Sequence, residues 1–254
     1  MISPLYYYNV SPLFPTQVSL PAARVACSVA LPGGCSAPVA VCSTPTHTLL
    51  AAACLSGHLA GLSLEDAGDG SVRVVWTRRI ADVPLFAAPV ALATDAQVVV
   101  VAVDVAGVVT AVGGDGSPRW QVAPPEGGAS WGPCFAALLL LPRREGDASC
   151  GTVVVVHEQR GVRWLDVAHG TTQRAVHVEV AGGMPTALVP WERGLVGCTS
   201  AGVVMMLDTA GGQECAAALP DESFSGVVAC DHLLIVGCRD DYLYGITIEC
   251  LSTS

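Results

Sequence analysis

Asp240 and Asp241 stand side by side near the C-terminus, between the two apolar halves of LLIVGCRDDYLYGITI (233–248). Adjacent carboxylates can hold a cation or share a proton in acid–base work. Here they fall where the chain reverses, a place that favours Asp because its side chain bonds the backbone two residues on. We read the pair as a solvated turn. Eleven cysteines offer thiols, but no Cys-x-x-Cys occurs, and Cys27, Cys35 and Cys42 are separated by seven and six residues. Zinc sites favour tighter ligand spacing. Free Cys behaves as a small hydrophobe, so the cysteines read as core thiols, with Cys198 and Cys238 at equivalent places in two hairpins. His157-Glu158 does not begin a His-Glu-x-x-His run, and Glu222-Ser223 has no base nearby in sequence. Trp131 and Trp191 could cap a ligand groove, or simply pack between strands. The expectation is therefore no catalytic residue, no metal site and no cofactor in this chain.

The elements that would carry these residues are strands. The chain has 254 residues, of which 52% are hydrophobic and 13% charged, ample for a core. Its 27 glycines and 17 prolines are spread along it as punctuation between short runs. No long stretch shows helical periodicity, and Val and Ala dominate the apolar set. Net charge is −10 with no lysine, which argues against nucleic acid and anionic membrane as partners. Residues 25–64 lack any charged side chain, but Pro32, Gly33, Gly34, Pro38 and Pro45 cut them too short to span a bilayer. Nothing at the start resembles a signal peptide, and the odd cysteine count fits a reducing compartment. A cytoplasmic location follows as an expectation.

The C-terminal hairpin recurs. TLLAAACLSGHLAGLSL (48–64), QVVVVAVDVAGVVTAV (97–112), TVVVVHEQRGVRWLDV (152–167) and GLVGCTSAGVVMMLDT (194–209) repeat it, with Gly57, Gly107, Gly161, Gly202 and Asp241 as turn markers. The markers lie roughly 40 to 55 residues apart, a propeller or solenoid period. Before each hairpin comes a further strand: SAPVAV (36–41), AAPVAL (87–92), GPCFAAL (132–138), MPTALV (184–189) and SGVVAC (225–230). After it comes a fourth: RVVWTRRI (73–80), PRWQVA (118–123), AVHVEV (175–180) and ECAAAL (214–219). This predicts an all-β propeller of four-stranded antiparallel blades, about five recognisable, with ring closure open. Residues 1–23 form an irregular Pro/Tyr-rich leader, and 24–254 the repeats. The last unit lacks a fourth strand, which RVACSVAL (24–31) is expected to supply. Val99, Val101, Val153, Val155 and Ile235 are expected to be buried.

The succession of Ala-Pro, apolar hairpin, Asp-x-x-x-Gly and Trp resembles the pyrroloquinoline-quinone-like propeller repeat. The resemblance implies blade-docking roles for Asp166 and Gly170, for Asp208 and Gly212, and for Trp120 after Ala111 and Gly116, with Trp76 closing the first unit. Arg174 and Ala216 stand where two further tryptophans would be. VGCRDDYLYGI is similar to the C-terminal propeller of β-alanine-activating enzymes of the acyl-CoA synthetase family. That similarity implies a non-catalytic module whose partners are proteins or a tethered carrier domain, with the acid-activating chemistry in domains upstream. GGDGS (113–117) has the look of a phosphopantetheine site but reads as a turn. Alternatives are a quinone-dependent oxidoreductase, or a lumenal or periplasmic assembly or sensor propeller.

Overall fold

The computed structural model describes residues 28–45, 47–64, 72–94, 97–123, 132–142, 151–158, 161–177, 186–191, 194–208, 212–230 and 233–247. Its strands form five antiparallel sheets, each a simple up-and-down meander. Blade 1 comprises β1 (Ala40–Ser43), β2 (Thr48–Ala53), β3 (His58–Leu64) and β4 (Val72–Arg79). Blade 2 comprises β5 (Val90–Ala93), β6 (Val98–Val103), β7 (Val109–Gly113) and β8 (Pro118–Val122). Blade 3 comprises β9 (Leu139–Pro142), β10 (Gly151–His157), β11 (Gly161–Asp166) and β12 (Thr172–Val176). Blade 4 comprises β13 (Val189–Trp191), β14 (Gly194–Cys198), β15 (Val203–Asp208) and β16 (Gln213–Ala218). Blade 5 has three described strands, β17 (Val228–Cys230), β18 (Leu233–Gly237) and β19 (Leu243–Thr247).

Each central hairpin turns on a residue with positive φ, and these residues are the five sequence markers. Gly57, Gly107, Gly161 and Gly202 lie at φ 79°, 85°, 84° and 78°, and Asp241 at 70°. Only glycine enters this region without a Cβ penalty, which is why four of the five turns use it. At Gly57 a Cβ would also stand 2.1 Å from the Ala81 carbonyl oxygen of the linker leading to the next blade.

Blades stack because their central strands are apolar on both faces. Successive side chains along a strand point to opposite sides of the sheet. In β6, Val98 and Val100 meet Leu49, Ala51 and Leu59 of blade 1, while Val99 and Val101 meet Val153, Val155 and Leu165 of blade 3. The next seam joins Val154 and Val156 to Leu195, Met205 and Leu207, and the last joins Val196 and Val204 to Leu234, Val236 and Tyr244. Among the described residues no such cluster joins blade 5 to blade 1. Valines 99, 101, 153 and 155 are buried, as their strands require. Ile235 is only half-buried; Leu234 and Val236 take the covered face of β18 instead.

Other expectations shift by register. GPCFAAL precedes its strand rather than forming it, since β9 begins at Leu139. The fourth strand of blade 3 begins at Thr172, ahead of AVHVEV. A bulge recurs between third and fourth strands of each four-stranded blade, and the residue paired just before it is Trp76, Trp120, Arg174 or Ala217. Ala217, not Ala216, therefore stands at the tryptophan place of blade 4. Cys238 donates its amide to Tyr242, as Cys54 does to His58 and Thr199 to Val203, so its counterpart is Thr199 rather than Cys198. Residues 24–27 of RVACSVAL and the leader lie outside the described residues, and 28–31 form no strand.

The described linkers that lead into blades 1, 2, 3 and 5 gather on one end of the molecule. Leu55 N donates to Gly34 O, Val105 N to Pro84 O, Glu158 N to Pro133 O and Arg239 N to Glu222 O, at 2.8–3.1 Å. Each linker thus lies against the central hairpin turn of the blade it enters. We call this end the linker face.

Candidate functional site

Three phenylalanines occupy one repeat position on the linker face. Phe86, Phe135 and Phe224 each lie four residues ahead of the inner strand of their blade, β5, β9 and β17. They are 39%, 40% and 69% exposed, unusual for a side chain of this size. The residue before each points inward: Leu85, Cys134 and Ser223 are buried. Alternation along an extended linker therefore turns the next side chain to solvent. The Phe86 and Phe135 rings pack at 5.6 Å between centroids, tilted by 44°. Phe135 and Phe224 in turn line a cavity of about 240 Å³, floored by Ala136, Ala137, Ala187 and Gly226, with the Thr186 and Ser200 hydroxyls as its polar groups. Phe86, Phe135 and the cavity with Phe224 run from blade 2 to blade 5.

The cavity is smaller than the ~300–1,000 Å³ of small-molecule sites and suits one protruding side chain. Among the described residues no side-chain carboxylate, imidazole or amide lines it, and the donor set they present does not fit a quinone held with calcium. Among the described residues no group of three His, Cys, Asp or Glu is placed to hold a metal ion.

One buried cluster does have the elements of a nucleophile. Cys134 Sγ lies 3.2 Å from His157 Nδ1, and Arg163 Nε donates to His157 Nε2 at 2.9 Å. The guanidinium must be met by a lone pair, so the imidazole proton resides on Nδ1, the nitrogen facing the thiol. His157 therefore cannot take the Cys134 proton. Burial first, and then Arg163, push its pKa down to about 3, while burial pushes the Cys134 thiol up to about 12. A nucleophilic cysteine needs the opposite shift. The cluster instead joins two blades: Arg163 Nη2 reaches Gly107 O at 3.4 Å, and His157 packs against Gly107.

The other sequence candidates resolve by position. Asp240 accepts bonds from Tyr244 OH at 2.5 Å and Tyr242 N at 3.2 Å. The tyrosine bond holds its carboxyl below the usual range. Its neighbour Asp241 supplies the positive φ of the turn. In GGDGS, Asp115 accepts from Ser117 N and Oγ in the turn between β7 and β8, which lowers its pKa. Trp191 is buried in the seam between blades 4 and 5, while Trp131 lies outside the described residues. Of the cysteines whose side chains are described, Cys42, Cys54, Cys134 and Cys198 are buried, Cys35 and Cys230 are exposed and Cys238 is intermediate. GASWG (128–132) has a Gly-x-Ser-x-Gly spacing; residues 128–131 lie outside the described residues, and the described elements on either side are the strands β8 and β9. A nucleophile elbow needs a strand-to-helix turn.

Trp76 Nε1 donates to Gly114 O of blade 2 at 2.6 Å, and Trp120 Nε1 to Val167 O of blade 3 at 2.8 Å. A Cβ on Gly116 or Gly170 would meet those indole rings at 2.8 and 2.6 Å. Asp166 caps its turn through His169 N and Asp208 does so through Gly212 N, at 2.9 and 2.7 Å. Arg174 lies over the Trp164 ring at 4.8 Å.

No family model matches the chain, and no curated protein matches it. Solved structures do. Sqt1 of Saccharomyces cerevisiae aligns at a TM-score of 0.65 and 12% identity, covering 82% of this chain and 59% of that one. BBS1N, solved in complex with ARL6DN, aligns at 0.64 and 14%, covering 85% and 66%. BamB of Moraxella catarrhalis aligns at 0.56 and 18%, covering 85% and 62%. The fold is thus a propeller similar to these, and the chain spans about three fifths of their lengths. Among the described residues no helix is long and apolar enough to cross a membrane.

Proposed function

We propose that the chain is a non-catalytic propeller module whose linker face binds a protein partner. The observation that carries this is the set of exposed phenylalanines at one repeat position, two of them lining a cavity the size of a side chain. Rigid aromatics around a small pocket are the usual anchors of protein interfaces. The similar BBS1N structure was solved with a protein partner bound, which supports the use of such a fold in complexes. Within the module we assign Trp76 and Trp120, and the Asp166–Gly170 and Asp208–Gly212 turns, to the docking of successive blades.

To test the interaction, wild-type protein and a Phe86→Ser/Phe135→Ser/Phe224→Ser variant are cross-linked in cell extract and the peptides mapped. Cross-links from the linker face to a partner should vanish in the variant while its melting temperature is kept. Unchanged cross-links, or cross-links confined to the opposite face, would sink the reading. The finer reading, a cytoplasmic propeller at the tail of an acid-activating enzyme with a carrier domain as partner, rests on VGCRDDYLYGI alone. It requires a native polypeptide several times the mass of this chain on an immunoblot.

A further inference from the structure

The linker face carries charge of one sign around its aromatic row. Asp82 and the Asp221-Glu222 pair lie on linkers, Glu158 begins the β10–β11 turn, and Asp240 and Asp241 form the β18–β19 turn. All six are exposed or half-exposed. Among the described residues this face has two exposed arginines, and both are already engaged, Arg79 with Asp82 at 2.9 Å and Arg239 with Glu222 at 2.5 Å, while Arg163 is buried against Gly107 and His157. Carboxylates in a low-salt environment repel one another, and they attract a cationic partner over about a Debye length.

Resting on the interaction reading above, we infer that the partner is a basic protein segment. It places one bulky apolar side chain between Phe135 and Phe224 and sets Arg or Lys side chains beside it, against the acidic rim and the exposed ring faces. Three features select this occupant. The cavity is apolar and takes about one side chain, so a single anchor fits. The two ion-paired arginines leave four carboxylates with no ion pair among the described residues, and guanidinium groups both pair with carboxylates and stack on aromatic rings. A polyanion is repelled by the same rim. A second copy of this chain is a poor supplier of the cations, since it has no lysine and only twelve arginines against 22 acids.

The test is a phage-displayed random peptide library selected on the intact chain, with enriched peptides then synthesised and titrated. Enrichment should couple a Leu, Ile, Met, Phe or Trp with neighbouring Arg or Lys. Phe224→Ala should weaken those peptides at least about tenfold, and Asp221→Asn/Asp241→Asn about threefold, with the same loss on raising salt. Peptides that need Phe224 but show no cation preference, and no response to the Asp variants, overturn the basic-partner inference and leave the interaction face standing. Peptides indifferent to both Phe135→Ala and Phe224→Ala overturn the two together. If no peptide is enriched, a short basic segment is not the ligand, and the cross-linking map alone decides whether the face binds.

Discussion

The central strands β6 of blade 2 and β18 of blade 5 are equally apolar, VVVVAV against LLIVG, yet they are buried differently. All six residues of β6 are buried, whereas in β18 only Leu234 and Val236 are. Blade 1 repeats the contrast at the other end. Leu85, Pro89 and Ala91 of blade 2 are covered or packed against blade 1, while their counterparts Cys35, Val39 and Val41 are exposed. Hairpin, turn and linker hydrogen bonds are the same in these blades, so local structure does not set the burial. The neighbouring sheet does. An apolar face is worth about 25 cal/mol per Å² only when something covers it.

The contrast can be broken at its strongest point. Val101→Asp puts an unpaired charge into the seam between blades 2 and 3 and should cost more than about 4 kcal/mol. Ile235→Asp, on the half-covered strand, should cost no more than about 2; comparable losses in urea melts would mean the outer face of blade 5 is covered as well. Trp120→Ala removes a ring and a hydrogen bond shared with blade 3, about 3 kcal/mol. Arg174→Ala, at the corresponding place in the next blade, should lose about 1.

Acid should act through His157. Its folded-state pKa of about 3 lies below the ordinary 6.5, so the unfolded chain binds the proton more readily. The stability it contributes is complete above pH 6.5 and falls as pH drops toward 3, by up to about 1.4 kcal/mol per unit. A His157→Gln variant should show a flatter acid limb in thermal melts. The last comparison is between turns. Gly107→Ala strains the φ of 85° and presses on His157, costing about 1–3 kcal/mol. Asp241→Gly should gain at most about 1.

The blade rhythm was legible because turn chemistry is local. A left-handed residue between two Val-rich runs announces a hairpin wherever it occurs, and all five markers took that role. Ile235 misled because burial depends on a sheet distant in sequence. The cysteine pairing slipped by one because Cys198 and Cys238 sit four and three residues ahead of their markers. Phe86, Phe135 and Phe224 went unnoticed since they lie in linkers, where no periodicity operates. Their common signal, four residues ahead of each inner strand, emerges only once those strands are placed. The Cys134–His157–Arg163 group is assembled from a linker and the strands β10 and β11, and no spacing in the chain reveals it.

The tryptophans reach forward from blade 1 to 2 and from 2 to 3, but the matching places in blades 3 and 4 hold Arg174 and Ala217. A row of sheets fastened more firmly at one end loosens from the other. Amide hydrogens of β17–β19 should therefore exchange with solvent through small local openings, those of β14 and β15 through larger ones, and those of β6 and β10 only when the whole row comes apart. The residues around Phe224 would then belong to the most readily opened unit, and those around Phe86 to the most rigid. A partner gripping both would slow exchange at β18 far more than at β6.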